Sequence, residues 1–227
     1  MGTFVICHGG WMSGWAWKKV RPLLRAGGHE VFTPSYTGLG ERAHLVSPTI
    51  DVETHISDIL GVIEYEGLQD ITLVGHSYGG MVATGVADRV PSKIRHLVYL
   101  DAFVPSDGQS VDDLRGLIAE ASVEGWLVPP IPPAPDTSAE DLAWTGPRCR
   151  HMPVRIFRQR LRVTGAVETV RRTFIHCTKK GPVDTFQQFA DRFRDHKDWG
   201  FVTMHESHSP QVNAPETLAK VLLDLAN

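Results

Sequence analysis

The residue best suited to do chemistry is Ser77, at the centre of the Gly-x-Ser-x-Gly motif in residues 75–80, Gly-His-Ser-Tyr-Gly-Gly. The apolar run 71–74 directly precedes the motif, and the helix-like residues 81–90 directly follow it. A serine placed between a strand and a helix in this pattern occupies a nucleophile elbow, a tight turn that holds its hydroxyl above a parallel sheet. Glycines are needed because strand and helix crowd together there. The motif therefore predicts that Ser77 is a catalytic nucleophile.

A serine hydroxyl is a weak nucleophile unless a neighbouring histidine takes its proton and an acid orients that histidine. In the order typical of a nucleophile elbow, the histidine comes last in the chain. Of the 11 histidines, His205 and His208 meet this condition. His205 directly follows the apolar run 200–204, whereas His208 lies in the loop before the last predicted helix, a loop that reaches over the strand ends. We therefore predict that His208 is the base and that His205 is structural.

Two aspartates are candidates for the acid. Asp101 ends the apolar run 96–100, where burial of its charge is unfavourable unless the carboxylate is paired or hydrogen-bonded. A catalytic histidine would be such a partner. Asp184 lies in the loop after the run 172–177, the commoner location for the acid, but it also precedes a predicted helix that it could simply cap. Asp101 is therefore the first candidate and Asp184 the second.

Backbone amides must also stabilise the oxyanion that develops in the transition state. Gly10 follows the first predicted strand in the sequence His-Gly-Gly-Trp and is placed to supply one amide. Tyr78, the residue after the nucleophile, would supply the second. Small residues suit this turn because the backbone itself must approach the substrate.

Six short apolar runs alternate with segments of helical periodicity, which predicts an α/β fold with a parallel sheet covered on both faces. The predicted strands are residues 3–7, 30–33, 71–74, 96–100, 172–177 and 200–204. The predicted helices are residues 52–65, 81–90 and 186–193, and a closing helix with Pro215 in its first turn. Active sites in such sheets lie at the carboxyl ends of the strands, where Ser77 falls.

Residues 105–170 interrupt this alternation and predict a lid. The proline-rich stretch 129–135 excludes regular structure across the middle of this segment. We expect a single domain whose core comprises residues 1–104 and 171–227, with 105–170 as the lid or cap. Trp126 and Trp144 are predicted to bind substrate in an apolar pocket beneath it. Further candidates for the pocket lining are Leu127, Val128, Ile131, Met152 and Phe157.

The composition argues against several other classes of protein. A formal charge of -3 over 227 residues does not favour nucleic acid or an anionic membrane as the main partner. The three cysteines are widely spaced, and no cluster of side chains has metal-ligand spacing, so we expect neither disulfides nor a metal. The first residues form no signal peptide, and no run approaches the roughly 18 apolar residues of a membrane span. We therefore expect a cytoplasmic protein with no cofactor.

These residues resemble the α/β-hydrolase superfamily, and within it the branch of methylesterases, hydroxynitrile lyases and their bacterial esterase relatives. The resemblance covers His8-Gly9-Gly10 with Trp15 and Trp17, then residues 75–80, then residues 208–215. It implies a mostly parallel sheet flanked by helices, a small lid inserted after the sixth strand of the fold, and ester hydrolysis without a cofactor. Relatives that open lactones can carry their acid after the nucleophile helix, at the end of the next strand, which strengthens the case for Asp101.

Two departures from related patterns favour hydrolysis. Hydroxynitrile lyases of this branch carry threonine at the position of Gly9 and lysine at the position of Ser209, so lyase chemistry is disfavoured here. Dehalogenases and epoxide hydrolases of the superfamily use an aspartate nucleophile, which Ser77 replaces.

The sequence thus predicts a serine hydrolase that cleaves a small hydrophobic ester or lactone through an acyl-enzyme. A receptor that binds a small ligand with slow or no turnover is the main alternative. An acyltransferase or thioesterase would use the same residues. The sequence gives no indication of the oligomeric state.

Overall fold

The computed structural model describes residues 2–181 and 183–226. Its strands are β1 (Thr3–Cys7), β2 (Glu30–Phe32), β3 (Ile71–His76), β4 (Ile94–Leu100), β5 (Leu127–Val128), β6 (Met152–Pro153), β7 (Arg171–Cys177) and β8 (Trp199–Met204). Its α-helices are α1 (Val20–Ala26), α2 (Val52–Tyr65), α3 (Gly79–Arg89), α4 (Val111–Arg115), α5 (Ala139–Thr145), α6 (Arg155–Arg158), α7 (Gln187–Phe193), α8 (Pro210–Asn213) and α9 (Pro215–Ala226).

Six of these strands form one sheet in the order β2-β1-β3-β4-β7-β8, and every neighbouring pair in it is parallel. Every residue of β3 is buried, as expected for a strand that is covered on both faces. The six predicted strands and the parallel sheet are confirmed. Because all six strands run in one direction, the residues that follow β1, β3, β4 and β7 meet at one edge of the sheet.

Helices cover both faces of the sheet. Side chains of α2, α3 and α7 belong to the apolar core on one face, and those of α1 and α9 belong to the core on the other. α2 begins at a capping box, in which Asp51 accepts a hydrogen bond from the Thr54 amide at 3.0 Å. No helix in the described part of the chain is long and apolar enough to cross a membrane.

Residues 105–170 contribute no strand to the six-stranded sheet among the residues described. They contain α4, α5 and α6 and a small antiparallel pair, β5 with β6. Counted along this chain, the segment follows the fourth strand, β4, and precedes β7 and β8. Residues 129–134 have no regular secondary structure, in agreement with their prolines.

The junction of β3 and α3 depends on glycine at its first helical residue. A Cβ atom on Gly79 would overlap the carbonyl oxygen of Cys7, because the start of α3 lies directly against the end of β1. The Cys7 oxygen is backbone and has no flexible side chain that could move aside. Gly61, by contrast, lies within α2, and no heavy atom lies within 4 Å of the position that its Cβ would take.

We expect Gly79→Ala to lower the free energy of unfolding by about 2 kcal/mol or more. The added Cβ would overlap the Cys7 carbonyl oxygen and force β1 and α3 apart. Gly61→Ala is the matched control and should raise that free energy by roughly 0.5–1 kcal/mol, since alanine favours the helix. Urea denaturation of both variants checks this. Equal midpoints for Gly79→Ala and the wild type would contradict the account of the junction.

Candidate active site

The backbone at the end of β3 is held in a strained conformation. Ser77 has a φ angle of 54°, a region that residues other than glycine rarely adopt. Its amide donates to the Leu100 carbonyl at 3.3 Å, and its own carbonyl accepts from the Phe103 amide at 3.1 Å. Asp101 and Trp11, which follow β4 and β1, have φ angles of 44° and 61°. Strain of this kind concentrates where side chains are positioned for function.

Three predicted residues form a continuous hydrogen-bonded series. His208 Nε2 lies 3.0 Å from Ser77 Oγ, and His208 Nδ1 lies 2.6 Å from Asp101 Oδ2. An ionised carboxylate only accepts hydrogen bonds, so the proton of the neutral imidazole is on Nδ1. Nε2 is then free to accept from the Ser77 hydroxyl. The arrangement can therefore move a proton from Ser77 to His208.

Asp101 is fully buried at the end of β4, and three donors satisfy its carboxylate. Oδ2 accepts from His208, while Oδ1 accepts from Lys180 Nζ at 2.7 Å and from the Cys177 amide at 3.3 Å. Its amide donates to the Ile175 carbonyl at 2.8 Å, which attaches it to β7. Such pairing is what a buried charge requires.

Asp184 lies in the loop after β7 and bonds to other partners. It accepts from His176 Nε2 at 2.8 Å, from Lys180 Nζ at 2.6 Å and from the Phe186 amide at 2.8 Å. Burial alone would raise the pKa of Asp184, but the hydrogen bonds from Lys180, His176 and Phe186 together lower it. The structure thus places Asp184 three contacts away from His208 along the route through Lys180 and Asp101.

The remaining histidines near the site have separate partners. His205 is exposed, and its Nδ1 lies 3.3 Å from the Thr178 hydroxyl. His76 donates from Nε2 to the backbone carbonyl of His208 at 2.8 Å, a support for the His208 loop that the sequence did not indicate. The Phe186 ring stacks on the His208 imidazole, with centroids 4.9 Å apart and an interplanar angle of 11°.

The predicted oxyanion donors lie next to each other. A Cβ atom on Gly10 would lie 3.7 Å from Tyr78 Cβ, so the loop after β1 lies directly against the start of α3. Among the described residues, neither the Gly10 amide nor the Tyr78 amide has a hydrogen-bond acceptor. Both N–H groups are therefore available to a substrate oxygen.

A series of buried hydrogen bonds holds the Tyr78 side chain in place. His55 Nε2 lies 3.2 Å from the Thr37 carbonyl, which can only accept, so Nε2 carries the proton. The Tyr78 hydroxyl then donates to His55 Nδ1 at 2.9 Å. Tyr36 stacks on the His55 ring, with centroids 4.5 Å apart. The residue that supplies one candidate oxyanion amide is thus fixed at both its backbone and its side chain.

Two cavities of about 320 Å³ and 340 Å³ adjoin both Ser77 and His208. Both are bordered by Trp11 and by residues 131–134, and Phe157 borders the first. Volumes of this size suit small molecules. Ile131 and Phe157 were among the apolar residues predicted to line the pocket.

The two tryptophans chosen as substrate-binding residues, Trp126 and Trp144, border neither of these cavities, and that placement differs from the prediction. Trp144 packs edge to face against Trp15 at 5.6 Å, with the Lys19 ammonium 5.3 Å above its ring. The Trp126 carbonyl accepts from the Val154 amide at 2.8 Å. Trp11 borders both cavities instead, because its position after β1 brings it to the edge where the strands end.

No group of three or more histidine, cysteine, aspartate or glutamate side chains that could hold a metal ion occurs in residues 2–181 and 183–226.

The sequence matches the alpha/beta hydrolase family over residues 4–221, and the chain belongs to that family. A carbendazim hydrolyzing esterase from Nocardioides sp. (strain SG-4G) is 38% identical over 241 aligned positions, covering 99% of this chain and 100% of that protein. Methylesterase 9 of Arabidopsis thaliana is 37% identical over 106 residues, covering 46% of this chain and 41% of that protein. The crystal structure of a methylesterase from Arabidopsis has the same fold, with a TM-score of 0.82 at 23% identity, covering 99% and 98% of the two chains.

These similarities confirm the resemblance to the methylesterase branch of the superfamily. Within the family, the chain is a carboxylic ester hydrolase of the esterase type.

Buried neutral histidines make the stability of this region sensitive to acid. Burial lowers the pKa of His8 and of His76 to about 3 and that of His55 to about 4. The same rings titrate near 6.5 in an unfolded chain, so below that pH the unfolded state binds more protons than the folded state. The stability that the neutral rings provide is complete above about pH 6.5 and decreases toward about pH 4.

We expect the free energy of unfolding to fall from about pH 7.5 to about pH 5, by up to about 1.4 kcal/mol per pH unit for each of these rings. His55→Gln, which removes one titrating ring, should show a shallower slope than the wild type. Urea denaturation at several pH values measures both slopes. If the two slopes are equal, His55 does not contribute to the acid sensitivity.

Proposed function

We propose that this chain is a serine esterase in which Ser77 is the nucleophile, His208 the base and Asp101 the acid. The observation that carries the proposal is the hydrogen-bonded series from Ser77 Oγ through His208 to the buried Asp101 carboxylate. The assignment of the acid to Asp101 and not to Asp184 is supported by the 2.6 Å contact with His208 Nδ1.

In the proposed mechanism, Ser77 Oγ attacks the ester carbonyl while His208 Nε2 accepts the hydroxyl proton. Asp101 holds the imidazole in the Nδ1–H tautomer and stabilises the imidazolium as it forms. The amides of Gly10 and Tyr78 donate to the oxyanion of the tetrahedral intermediate. The imidazolium returns its proton to the departing alcohol, which leaves an acyl-enzyme on Ser77. His208 then takes a proton from a water molecule as the water oxygen attacks the acyl carbon, and it returns that proton to Ser77 Oγ as the bond from Ser77 to the acyl carbon breaks and the acid leaves.

The cavities support a small, largely apolar substrate with a group on each side of the scissile carbonyl. Each cavity holds a few hundred Å³, and aromatic or aliphatic side chains such as Trp11, Phe157 and Ile131 border them. We propose a hydrophobic ester or lactone, and a carbamate ester such as carbendazim is a specific candidate because of the 38% identical relative. We further propose that residues 105–170 act as the lid over this substrate. A cytoplasmic location stays a prediction.

The first test compares the wild type with Ser77→Ala on p-nitrophenyl acetate, butyrate and octanoate, and on carbendazim. We expect the variant to lose at least about 10³-fold in kcat, because no other described side chain is placed to attack. Release of p-nitrophenol and loss of carbendazim measure turnover. Activity that survives in Ser77→Ala would contradict the proposal. Ligand binding without turnover in the folded wild type would favour a receptor.

The second test separates the two candidate acids. We expect Asp101→Asn to lower kcat by about 10³- to 10⁴-fold, because an amide cannot stabilise the imidazolium and permits the wrong tautomer. Asp184→Asn, which keeps the contact between Asp101 and His208, should lose less than about tenfold near pH 8. Steady-state kinetics with p-nitrophenyl butyrate measure both. Equal losses, or a larger loss for Asp184→Asn, would reverse the assignment of the acid.

A further inference from the structure

Lys180 joins the two candidate acids beneath the active site. Its ammonium lies 2.7 Å from Asp101 Oδ1 and 2.6 Å from Asp184 Oδ1. The side chain is only 11% exposed, and those of Asp101 and Asp184 are 0% and 16% exposed. We propose that Lys180 is a positioning residue that fixes the Asp101 carboxylate and limits the negative charge that it presents to His208. This inference rests on the proposed roles of Asp101 and His208.

The two oxygens of the Asp101 carboxylate have different hydrogen-bond partners. Oδ2 is bound by His208, and Oδ1 is bound by Lys180 and the Cys177 amide. A carboxylate held at both oxygens cannot rotate, so Oδ2 stays directed at His208 Nδ1. Without Lys180, Oδ1 would keep only the longer contact of 3.3 Å to the Cys177 amide. Lys180 therefore acts on orientation through Asp101, and within the described part of the chain it forms no hydrogen bond with Ser77 or His208.

The charges give Lys180 a second effect. Asp101 and Asp184 carry two negative charges around one ammonium, so Lys180 offsets part of the field that Asp101 exerts on His208. An imidazolium is favoured by a nearby negative charge and disfavoured by a nearby positive one. The lysine thus offsets part of the stabilisation that the Asp101 charge gives to an imidazolium at His208.

Charged and titratable groups surround His208 on several elements: Lys179 and Arg115 border the same cavity as His208, and Lys180 is the cation bound to Asp101. The His76 ring, 4.9 Å away, is neutral because burial lowers its pKa to about 3. Phe186 covers one face of the His208 ring, and Cys177, beside Asp101, is a neutral thiol because burial and the Asp101 charge raise its pKa. Beyond Asp184 lies His176, and Glu206 lies on the same loop as His208.

Lys180 occupies a loop that more often carries the acid in this fold. The loop after β7 is the commoner location for the acid, and here it carries Lys180 three residues after the end of the strand, while the acid in contact with His208 stands at the end of β4. A lysine in that loop without a carboxylate partner would destabilise an imidazolium at His208, because the two positive charges repel each other. Paired with both aspartates, it becomes a support for the acid on the neighbouring strand.

Removing Lys180 and removing Asp184 should move the pH profile in opposite directions. In Lys180→Met, His208 faces an uncompensated carboxylate, so the acid limb of kcat/KM for p-nitrophenyl butyrate should move up by about one pH unit. In Asp184→Asn, the Lys180 ammonium is paired with Asp101 alone and offsets more of the Asp101 charge. The acid limb should therefore move down by roughly half a pH unit. Lys180 and Asp184 both border the cavity of about 320 Å³, so KM is measured alongside kcat, and the direction of the shift in the acid limb is the deciding readout. Lys180→Arg should restore most of the wild-type profile.

Lys19→Met is the matched control, since Lys19 also pairs with a buried aspartate, Asp141, but contacts none of the three proposed catalytic residues. Its acid limb should stay where the wild type has it. An unchanged limb in folded Lys180→Met, or shifts of the same sign in Lys180→Met and Asp184→Asn, would overturn the proposal. If circular dichroism shows that Lys180→Met does not fold, the downward shift in Asp184→Asn decides.

The failure of this inference can be told apart from failure of the proposed function. Titration of the His208 ring by NMR, assigned by the signal missing in His208→Asn, reads the same electrostatic effect without turnover. If Ser77→Ala keeps its activity, the serine mechanism is wrong, and the His208 titration alone tests Lys180. A midpoint that is the same in the wild type and Lys180→Met would then contradict the role of Lys180.

Discussion

The architecture of the site depends on a charged carboxylate that is fully buried at the end of a central strand. Asp101 has no exposed surface, so its charge is tolerable only because protein donors replace the water that it loses. Those donors come from three places: the Cys177 amide at the end of β7, the Lys180 ammonium in the loop after it, and His208 after β8. Satisfying this one group therefore brings together the ends of the strands that form the site.

Three of the five non-glycine residues with left-handed backbone angles in the described part of the chain lie at this edge of the sheet, and the other two, Asp70 and Glu124, lie elsewhere. Residues at the ends of β1, β3 and β4, namely Trp11, Ser77 and Asp101, adopt left-handed backbone angles without being glycine. Conformations of this kind cost about 1–3 kcal/mol each and persist only where the surroundings enforce them. At Ser77 and Asp101 the enforcement comes from adjacent strands, through the carbonyls of Leu100 and Ile175. The parallel sheet thus brings these residues together and also holds their side chains rigidly in place.

The sequence predicts best what is encoded locally. The nucleophile elbow needs only its glycines and the strand and helix beside it, and the six strands follow from short apolar runs, so both could be predicted. Asp101 could be ranked first because an aspartate that ends an apolar strand needs a partner, and the resemblance to lactone-opening relatives favours the same residue. Asp184 and Lys180 are four residues apart, but the contacts of Lys180 with Asp101 and of His208 with Ser77 span 79 and 131 residues of the chain. The chain order typical of a nucleophile elbow predicts the second of these pairs, whereas no pattern in one sequence indicates the first.

The dependence on contacts between distant parts of the chain also explains why Trp126 and Trp144 do not lie where the sequence predicts. Trp126 and Trp144 were chosen because large aromatic residues in an insertion over a site often line it, but periodicity says nothing about which way an irregular segment faces. The segment is instead located by hydrogen bonds with Trp11, a residue of the core. The Trp11 amide donates to Met152 Sδ, its indole N–H donates to the Val128 carbonyl at 3.2 Å, and its carbonyl accepts from the Arg150 amide at 2.9 Å.

Trp11 therefore connects two parts of the molecule that enzymes of this kind need to coordinate. It directly follows Gly10, whose amide is a proposed oxyanion donor, and it borders both cavities beside Ser77. Its backbone and side chain are bound to residues 128, 150 and 152 of the 105–170 segment. Any displacement of that segment must act on the loop after β1, so the residues that shape the substrate cavity also help to set the direction of an oxyanion donor. With the proposed roles of Gly10 and of the cavities, Trp11 would couple substrate fit to transition-state stabilisation.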